Sequence, residues 1–407
     1  MKKVYIIGAG IGNKCFMHKK AAEMIEAVDC LIGAKRMLRD LNDLNKEKIE
    51  CIDAEKIYSF INSNDMYSSF GVLVSGDTGF FSLSGRLTEL LSENGGISVE
   101  NVPAVGSLQY FCSKLNIPWD SIKFASAHGR NADIIPIIMF NKKVFLLTGG
   151  ELTPDKICLH LTKKGLGHLK VSVGEKLSYD DERITEDYAS IMAEKRFDSL
   201  SVMMIHNDNA LEPDAGNRSI KDDEFIIGSA PMTKSEVRTI SIAKLNIKSN
   251  YIVYDIGAGT GSVSIETALK LYNGTLYAIE KEKKSLELIK RNIEKFNAHN
   301  IELIEGAAPS ALFDLPKPDA VFIGGSGGYM DDIISEVIKK NPFVTVVINT
   351  ITLQSLNEAL NCMEKYKFKD VEIINLSISK AKKIGHYDMM IGQNPIYIIS
   401  GKGSGIN

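Results

Sequence analysis

Two stretches constrain this chain more than any others. Residues 4–13 read VYIIGAGIGN and residues 253–262 read VYDIGAGTGS. Each runs a short apolar segment into a G-A-G-x-G turn. Such a turn ends a buried strand, opens a helix, and lets a ligand approach the backbone closely. That strand-turn-helix device belongs to α/β architecture. Neither copy is a full dinucleotide fingerprint. G-x-G-x-x-G needs glycine at its sixth position, where this chain has Asn13 and Ser262.

Strand-like and helix-like segments alternate along all 407 residues. Residues 4–7, 72–75, 144–147 and 201–205 read as buried strands, with helical periodicity at 21–28 and 83–91. A chain this long exceeds one ordinary core, so two domains are expected. The clearest break is NDNALEPDAGNRSIKDDE, residues 207–224, which is polar and has linker composition. The expected organisation is a domain over 1–206, a linker over 207–222 and a second domain over 223–407. In the second, strands are expected at 251–255, 276–279, 301–304, 320–323 and 344–348. Residues 371–379 and 395–400 are expected to close the sheet as an antiparallel pair.

Net charge is −3, which gives no support for nucleic acid as a partner. The six cysteines, Cys15, Cys30, Cys51, Cys112, Cys158 and Cys362, include no C-x-x-C pair and read as reduced thiols without a metal. The sequence opens directly on a strand pattern, so no secretory leader is expected. No apolar run approaches the ~20 residues that span a bilayer. A cytoplasmic protein that does not enter membranes is expected.

The second turn is the more informative. Asp255 stands at the end of its strand, where a carboxylate would repel a pyrophosphate and suit a cationic ligand. Glu280 ends the next strand, in YAIE, and an acid there accepts hydrogen bonds from ribose hydroxyls. A glycine turn flanked by these acids fits S-adenosylmethionine, whose sulfonium and amino groups are positive. The competing reading is a generic turn for NAD.

The motifs YDIGAGTGSVSIETA, YAIEKEKKSLELIKRNIEKF, LIEGAAPSAL and PDAVFIGGSGG follow PMTKSEVR at 231–238. Together they resemble the corrin-pathway methyltransferases that methylate carbon 15 and decarboxylate the ring-C acetate. The resemblance covers most of residues 220–400 and implies a Rossmann-like class I methyltransferase fold. It implies cofactor contacts at Thr233, Gly257, Ala258, Gly259, Thr260, Gly261, Glu280 and Ala308, beside Asp255. One departure is Ala307, where the family usually has Asp, so adenine would be held there by backbone and Ala308.

The first turn lacks such acids, because VDCLIGAKRML offers none at 31–34. Its informative neighbours are VLVSGDTGFF at 72–81, VPAVGSLQ at 102–109, ASAHGR at 125–130 and VGEKLSYDDERI at 173–184. These resemble the tetrapyrrole methylase family over about residues 1–205, and within it the carbon-5 methylating branch. That implies a two-lobed fold with Gly8, Gly10, Gly76, Asp77, Thr78 and Gly79 lining the cofactor cleft and Ser107 near it. Thr78 and Gly106 depart from the family's G-D-P and P-A-V-S-S. Asp77 can also be read as a turn residue capping the next helix. His128 and Arg130 are the candidates for substrate chemistry, as proton carrier and carboxylate fork. The alternative is a hydrogen-bonded loop histidine and a surface arginine.

The whole chain thus resembles the fused precorrin C(5,15)-methyltransferases of cobalamin biosynthesis. The resemblance implies two S-adenosylmethionine sites serving one polycarboxylated tetrapyrrole. Arg238, with Lys380, Lys382 and Lys383, is expected to clamp substrate carboxylates, although the lysines can also be a solvated tail. A homo-oligomer is expected. The alternatives are a methyltransferase of another substrate and a sensing module with one inactive half.

Overall fold

The computed structural model describes residues 2–93, 95–126, 134–212, 214–228 and 230–405. The chain forms two compact units, one of residues 1–131 and 143–206, the other of residues 132–142 and 207–407.

The N-terminal unit holds two five-stranded sheets. The first contains β1 (Lys2–Gly8), β2 (Cys30–Gly33), β3 (Glu47–Glu50), β4 (Ser69–Val74) and β5 (Ile97–Val102). All are parallel, in the order β3-β2-β4-β1-β5. Both faces of such a sheet are covered by helices, so its central strands are nearly continuous apolar runs. Side-chain alternation sends Val4 and Ile6 of β1 to one face and Ile7 to the other. Leu87 and Leu91, four apart on helix Ser84–Ser92, pack on the first face, and Ala21 and Ile25 of helix Lys19–Ala27 on the second.

The second sheet contains β6 (Lys123–Ser126), β7 (Lys143–Leu147), β8 (Lys170–Glu175), β9 (Arg183–Tyr188) and β10 (Ser201–His206). Its order is β6-β7-β10-β8-β9, and only the β6–β7 pair is parallel. This is the two-lobed arrangement expected from the sequence.

The C-terminal unit has one seven-stranded sheet. Its strands are β11 (Ile252–Ile256), β12 (Thr275–Glu280), β13 (Ile301–Glu305), β14 (Ala320–Ile323), β15 (Thr345–Thr350), β16 (Lys369–Leu376) and, after an exposed ribbon of β17 (Ser379–Ile384) and β18 (Tyr387–Gly392), β19 (Ile396–Lys402). The order is β13-β12-β11-β14-β15-β19-β16, with β19 antiparallel to both neighbours. The strand order reverses beside β11, the switch point where open α/β sheets bind ligands. This is the Rossmann-like class I arrangement. All seven residues of helix Ser262–Ala268, which follows β11, are buried.

Two expectations change. Residues 207–222 are no free tether: Ile220 enters the C-terminal core, Leu211 packs against it, and the Ile220 amide donates to the buried Glu266 carboxylate at 2.8 Å. Average polarity conceals these single anchors. The tail does close the sheet as an antiparallel pair, but the strand expected over 371–379 ends at Leu376 and β17 begins at Ser379. All six cysteines are free. Among the described residues, no helix is long and apolar enough to cross a membrane.

Candidate functional site

In the C-terminal unit the turn 257–261 joins β11 to its helix. The Gly257 and Ala258 amides donate to the Ile279 carbonyl at 3.0 and 3.2 Å, which fixes the turn against the end of β12. Gly259 has φ +58, and a Cβ there would lie 2.8 Å from the Pro231 carbonyl oxygen. Only glycine meets both the left-handed backbone and this close approach.

Glu280 is the organiser beside the turn. Its Oε2 accepts from the Gly259 amide at 2.8 Å, and its Oε1 accepts from the Lys281 and Glu282 amides at 2.9 Å each. A carboxylate offers about four acceptor positions. Three are therefore taken, leaving room on Oε2 for one ribose hydroxyl without rearrangement. The Gly306 amide donates to the Glu280 carbonyl at 3.0 Å, which brings Ala307 and Ala308 to the same row of strand ends.

Asp255 is 1% exposed, beneath the turn. Its Oδ2 accepts from the Ser264 hydroxyl, while Oδ1 is buried without a partner. Burial pushes its carboxyl up to about 7; the Ser264 hydrogen bond opposes this and the Glu280 charge adds to it. The Thr260 hydroxyl is a second buried group without a partner. Orphaned polar atoms beside a glycine turn whose backbone excludes side chains fit a bound polar, positively charged nucleoside. The residues present therefore fit S-adenosylmethionine, with Asp255 acting from below rather than as an exposed counter-charge.

Arg238 corrects an expectation. Its side chain is 0% exposed. Nε donates to Glu266 Oε1 at 2.7 Å, and Nη1 donates to Asp222 Oδ1 at 3.2 Å and to the Thr233 carbonyl at 2.6 Å. Nη2 donates to the Ile220 carbonyl, and the guanidinium stacks over Phe225 at 4.8 Å. It has no face left for a substrate carboxylate. Instead it ties Thr233 and the 220–222 segment to the core beside the turn. Lys382 is exposed on β17, away from the sheet, and Lys380 pairs with Glu236 at 2.6 Å. Sequence reasoning missed Asn292, whose side-chain amide donates to the Thr260 and Ile226 carbonyls at 3.1 Å each.

In the N-terminal unit the loops after β1 and β4 are cross-linked. The Gly76 amide donates to the Gly10 carbonyl at 2.9 Å, and the Gly10 amide to the Gly76 carbonyl at 3.3 Å. Asp77 holds the second loop. Its Oδ1 accepts from the Gly79 amide at 2.8 Å and its Oδ2 from the Ala104 amide at 2.9 Å. It caps a turn, not the following helix. Gly12 has φ +118, and a Cβ there would strike the Tyr179 ring. Ser178, next to Tyr179, accepts from the Asn13 amide at 3.2 Å and donates to the Ile11 carbonyl at 3.1 Å. These contacts fasten the loop after β8 onto the first glycine turn.

A cleft of about 380 Å³ opens here, with Gly10, Gly76, Asp77 and Ser107 on its lining. Gly8, Thr78 and Gly79 are not on that lining. Gly8 is closed off because a Cβ there would lie 2.8 Å from the Ala104 Cβ. His128 and Arg130 lie outside the described residues. The cleft also holds Arg36, which sequence reasoning passed over. It stands three residues past β2, in the same GAKR stretch noted only for lacking an acid.

Fold and sites together define a methyltransferase with two unlike glycine-turn sites in one chain. Comparison with known proteins carries this further. Residues 225–401 match the family model described as a precorrin methyltransferase domain, and residues 3–190 that of the tetrapyrrole (corrin/porphyrin) methylases. The chain is 43% identical over 178 residues to a probable cobalt-precorrin-6B C(15)-methyltransferase (decarboxylating) of Saccharolobus solfataricus, across 42% of this chain and 88% of that protein. It is 29% identical over 323 residues to the precorrin-6Y C(5,15)-methyltransferase [decarboxylating] of a Sinorhizobium species, across 77% of this chain and 75% of that one. A crystal structure of precorrin-6Y C5,15-methyltransferase from Geobacter metallireducens matches at 39% identity and TM-score 0.43, covering 45% of this chain and 96% of that one. The chain belongs to the precorrin methyltransferases, with a tetrapyrrole methylase domain preceding the precorrin methyltransferase domain.

Proposed function

We propose that this protein uses S-adenosylmethionine to methylate a precorrin-6-type tetrapyrrole, metal-free or cobalt-bearing, at carbons 5 and 15 and removes the ring-C acetate carboxyl in cobalamin biosynthesis. The N-terminal unit takes carbon 5; the C-terminal unit takes carbon 15 and the decarboxylation. The observation that carries this reading is the pairing of the two glycine-turn sites with an extended match to a relative bearing both activities in its name.

When bound, S-adenosylmethionine supplies a methyl group already activated by a sulfonium. The chain's own work is then binding, orientation and exclusion of water. In the C-terminal unit the 257–261 backbone receives the nucleoside. Glu280 accepts a ribose hydroxyl, and Asp255 presents negative charge from beneath. Thr233, held by Arg238, and Ala308, held through Gly306, flank the same row of strand ends. In the N-terminal unit Gly10, Gly76 and Ser107 line the receiving cleft, and Asp77 keeps its loop rigid. The nucleophile is a meso carbon of the reduced macrocycle. In the decarboxylation the acetate C–C bond breaks, carbon dioxide leaves, and its electron pair enters the conjugated ring before a proton restores a methyl group.

Mass spectrometry of the product from a precorrin-6-type substrate tests the reading. A gain of two methyl groups with loss of one carbon dioxide is expected. Turnover with no change at the macrocycle would overturn it.

A further inference from the structure

The N-terminal cleft carries, beside the glycines and Ser107 given to the cofactor, an arginine and two phenylalanines that the cofactor role does not use. Along its lining, Arg36 is the one basic residue among the described residues and Asp77 the one acid. Both Asp77 oxygens already accept backbone amides. Arg36 makes no ion pair among the described residues. Its Nη2 donates to the Ser75 hydroxyl at 2.8 Å, which holds the guanidinium where β4 opens into the cleft, and its other donors have no partner among the described residues. Asp40, which ends the helix Lys35–Arg39 that carries Arg36, makes no ion pair with it.

Aromatic rings stand on the same cleft. Phe80 and Phe81 line it, and Phe124 of β6 packs edge-on to both, with ring centroids 5.3 and 6.4 Å away. Phe81 and Phe124 are 54% and 45% exposed. Exposed phenylalanines in contact with one another form an apolar patch, the kind of surface that ligand-binding grooves present. Phe81 is moreover held at φ +47, a left-handed backbone that a bulky residue rarely adopts. Strain of this kind persists where the surroundings enforce a position, and it clusters at ligand clamps.

We infer that Phe81, Phe124 and Arg36 form the seat for the tetrapyrrole. The two rings receive the flat, apolar body of the macrocycle, and the guanidinium takes one of its peripheral carboxylates. An apolar disc fringed with acids matches an aromatic edge beside a single unpaired fork. This rests on the proposed function and adds the residues that select the substrate. The carboxylate on Arg36 has two possible sources, the macrocycle or the amino-acid tail of the cofactor, and the rings favour the macrocycle.

The test uses the full-length protein with two probes, uroporphyrin by fluorescence quenching and S-adenosylhomocysteine by calorimetry. Arg36→Gln is expected to weaken uroporphyrin about tenfold, the worth of one charge-assisted hydrogen bond. Phe81→Leu and Phe124→Leu should each weaken it several-fold, and Arg36→Lys should recover part of the loss. S-adenosylhomocysteine affinity should hold in all four, which also reports an intact fold. Loss of S-adenosylhomocysteine with uroporphyrin unchanged would assign Arg36 to the cofactor and overturn the proposal. Wild-type binding matched by every variant would overturn it alone. Failure of the wild type to bind uroporphyrin at all, with methyl transfer also absent, would remove the underlying functional reading as well.

Discussion

Asp255 holds one oxygen on Ser264 and keeps the other unpartnered, and burial raises its carboxyl from 3.8 to about 7. Between those values the folded state binds a proton that the unfolded chain has released. Stability therefore falls as pH rises through that window, and the deficit is complete above 7. Asp255→Asn removes it. Urea unfolding at pH 5 and pH 8 should show the variant gaining on the wild type at the higher pH; an equal difference at both would contradict the burial argument. A positive ligand favours the ionised form, so wild-type affinity for S-adenosylmethionine should strengthen from pH 6 to pH 8 and that of the variant should not. Arg238 is the opposite case, a buried cation with its partners in place. Arg238→Ala strands Glu266 and should cost about 3–5 kcal/mol, read as a lower urea midpoint. A substrate clamp on the surface would have cost almost nothing in stability.

At the scale of elements, the ribbon β17–β18 stands apart. Every residue of both strands is exposed, including Tyr387, Met389, Met390 and Ile391. A lone two-stranded ribbon has no core of its own. Among its described contacts, the Lys380–Glu236 pair is half-exposed and worth about 0–1 kcal/mol. Leu376 and Ile396 already face each other across β16 and β19 at its base. Replacing residues 379–392 with a short glycine-containing turn should therefore shift unfolding by under about 1 kcal/mol. A larger loss would mean the ribbon is covered in solution, and analytical ultracentrifugation would then show assembly lost with it. The ribbon escaped sequence reasoning because alternating Lys and Ala reads as a solvated tail. The strands of the seven-stranded sheet were legible because buried parallel strands are unbroken apolar runs, as in residues 320–323 and 346–348.

For the whole molecule, the central question is whether one chain carries two independent cofactor sites. Two equivalents of S-adenosylhomocysteine per chain are expected by calorimetry. Gly76→Arg should remove one and abolish carbon-5 methylation. Gly259→Arg should remove the other and abolish the carbon-15 chemistry. Loss of both activities from either substitution would mean a single shared site. The sequence alone determined the α/β class and the glycine turns, because these depend on local periodicity and on backbone conformations that glycine permits; the two methyltransferase folds followed from the resemblance of its motifs to known families. It also marked Glu280, since an acid at a strand end is a local pattern. Only the tertiary structure decided which charges face a ligand. Arg238 and Arg36 are the same residue type near a helix start, yet one is enclosed by Glu266 and Asp222 and the other is left open on a cleft. Burial and partners come from segments far apart in the chain, and no local spacing encodes them.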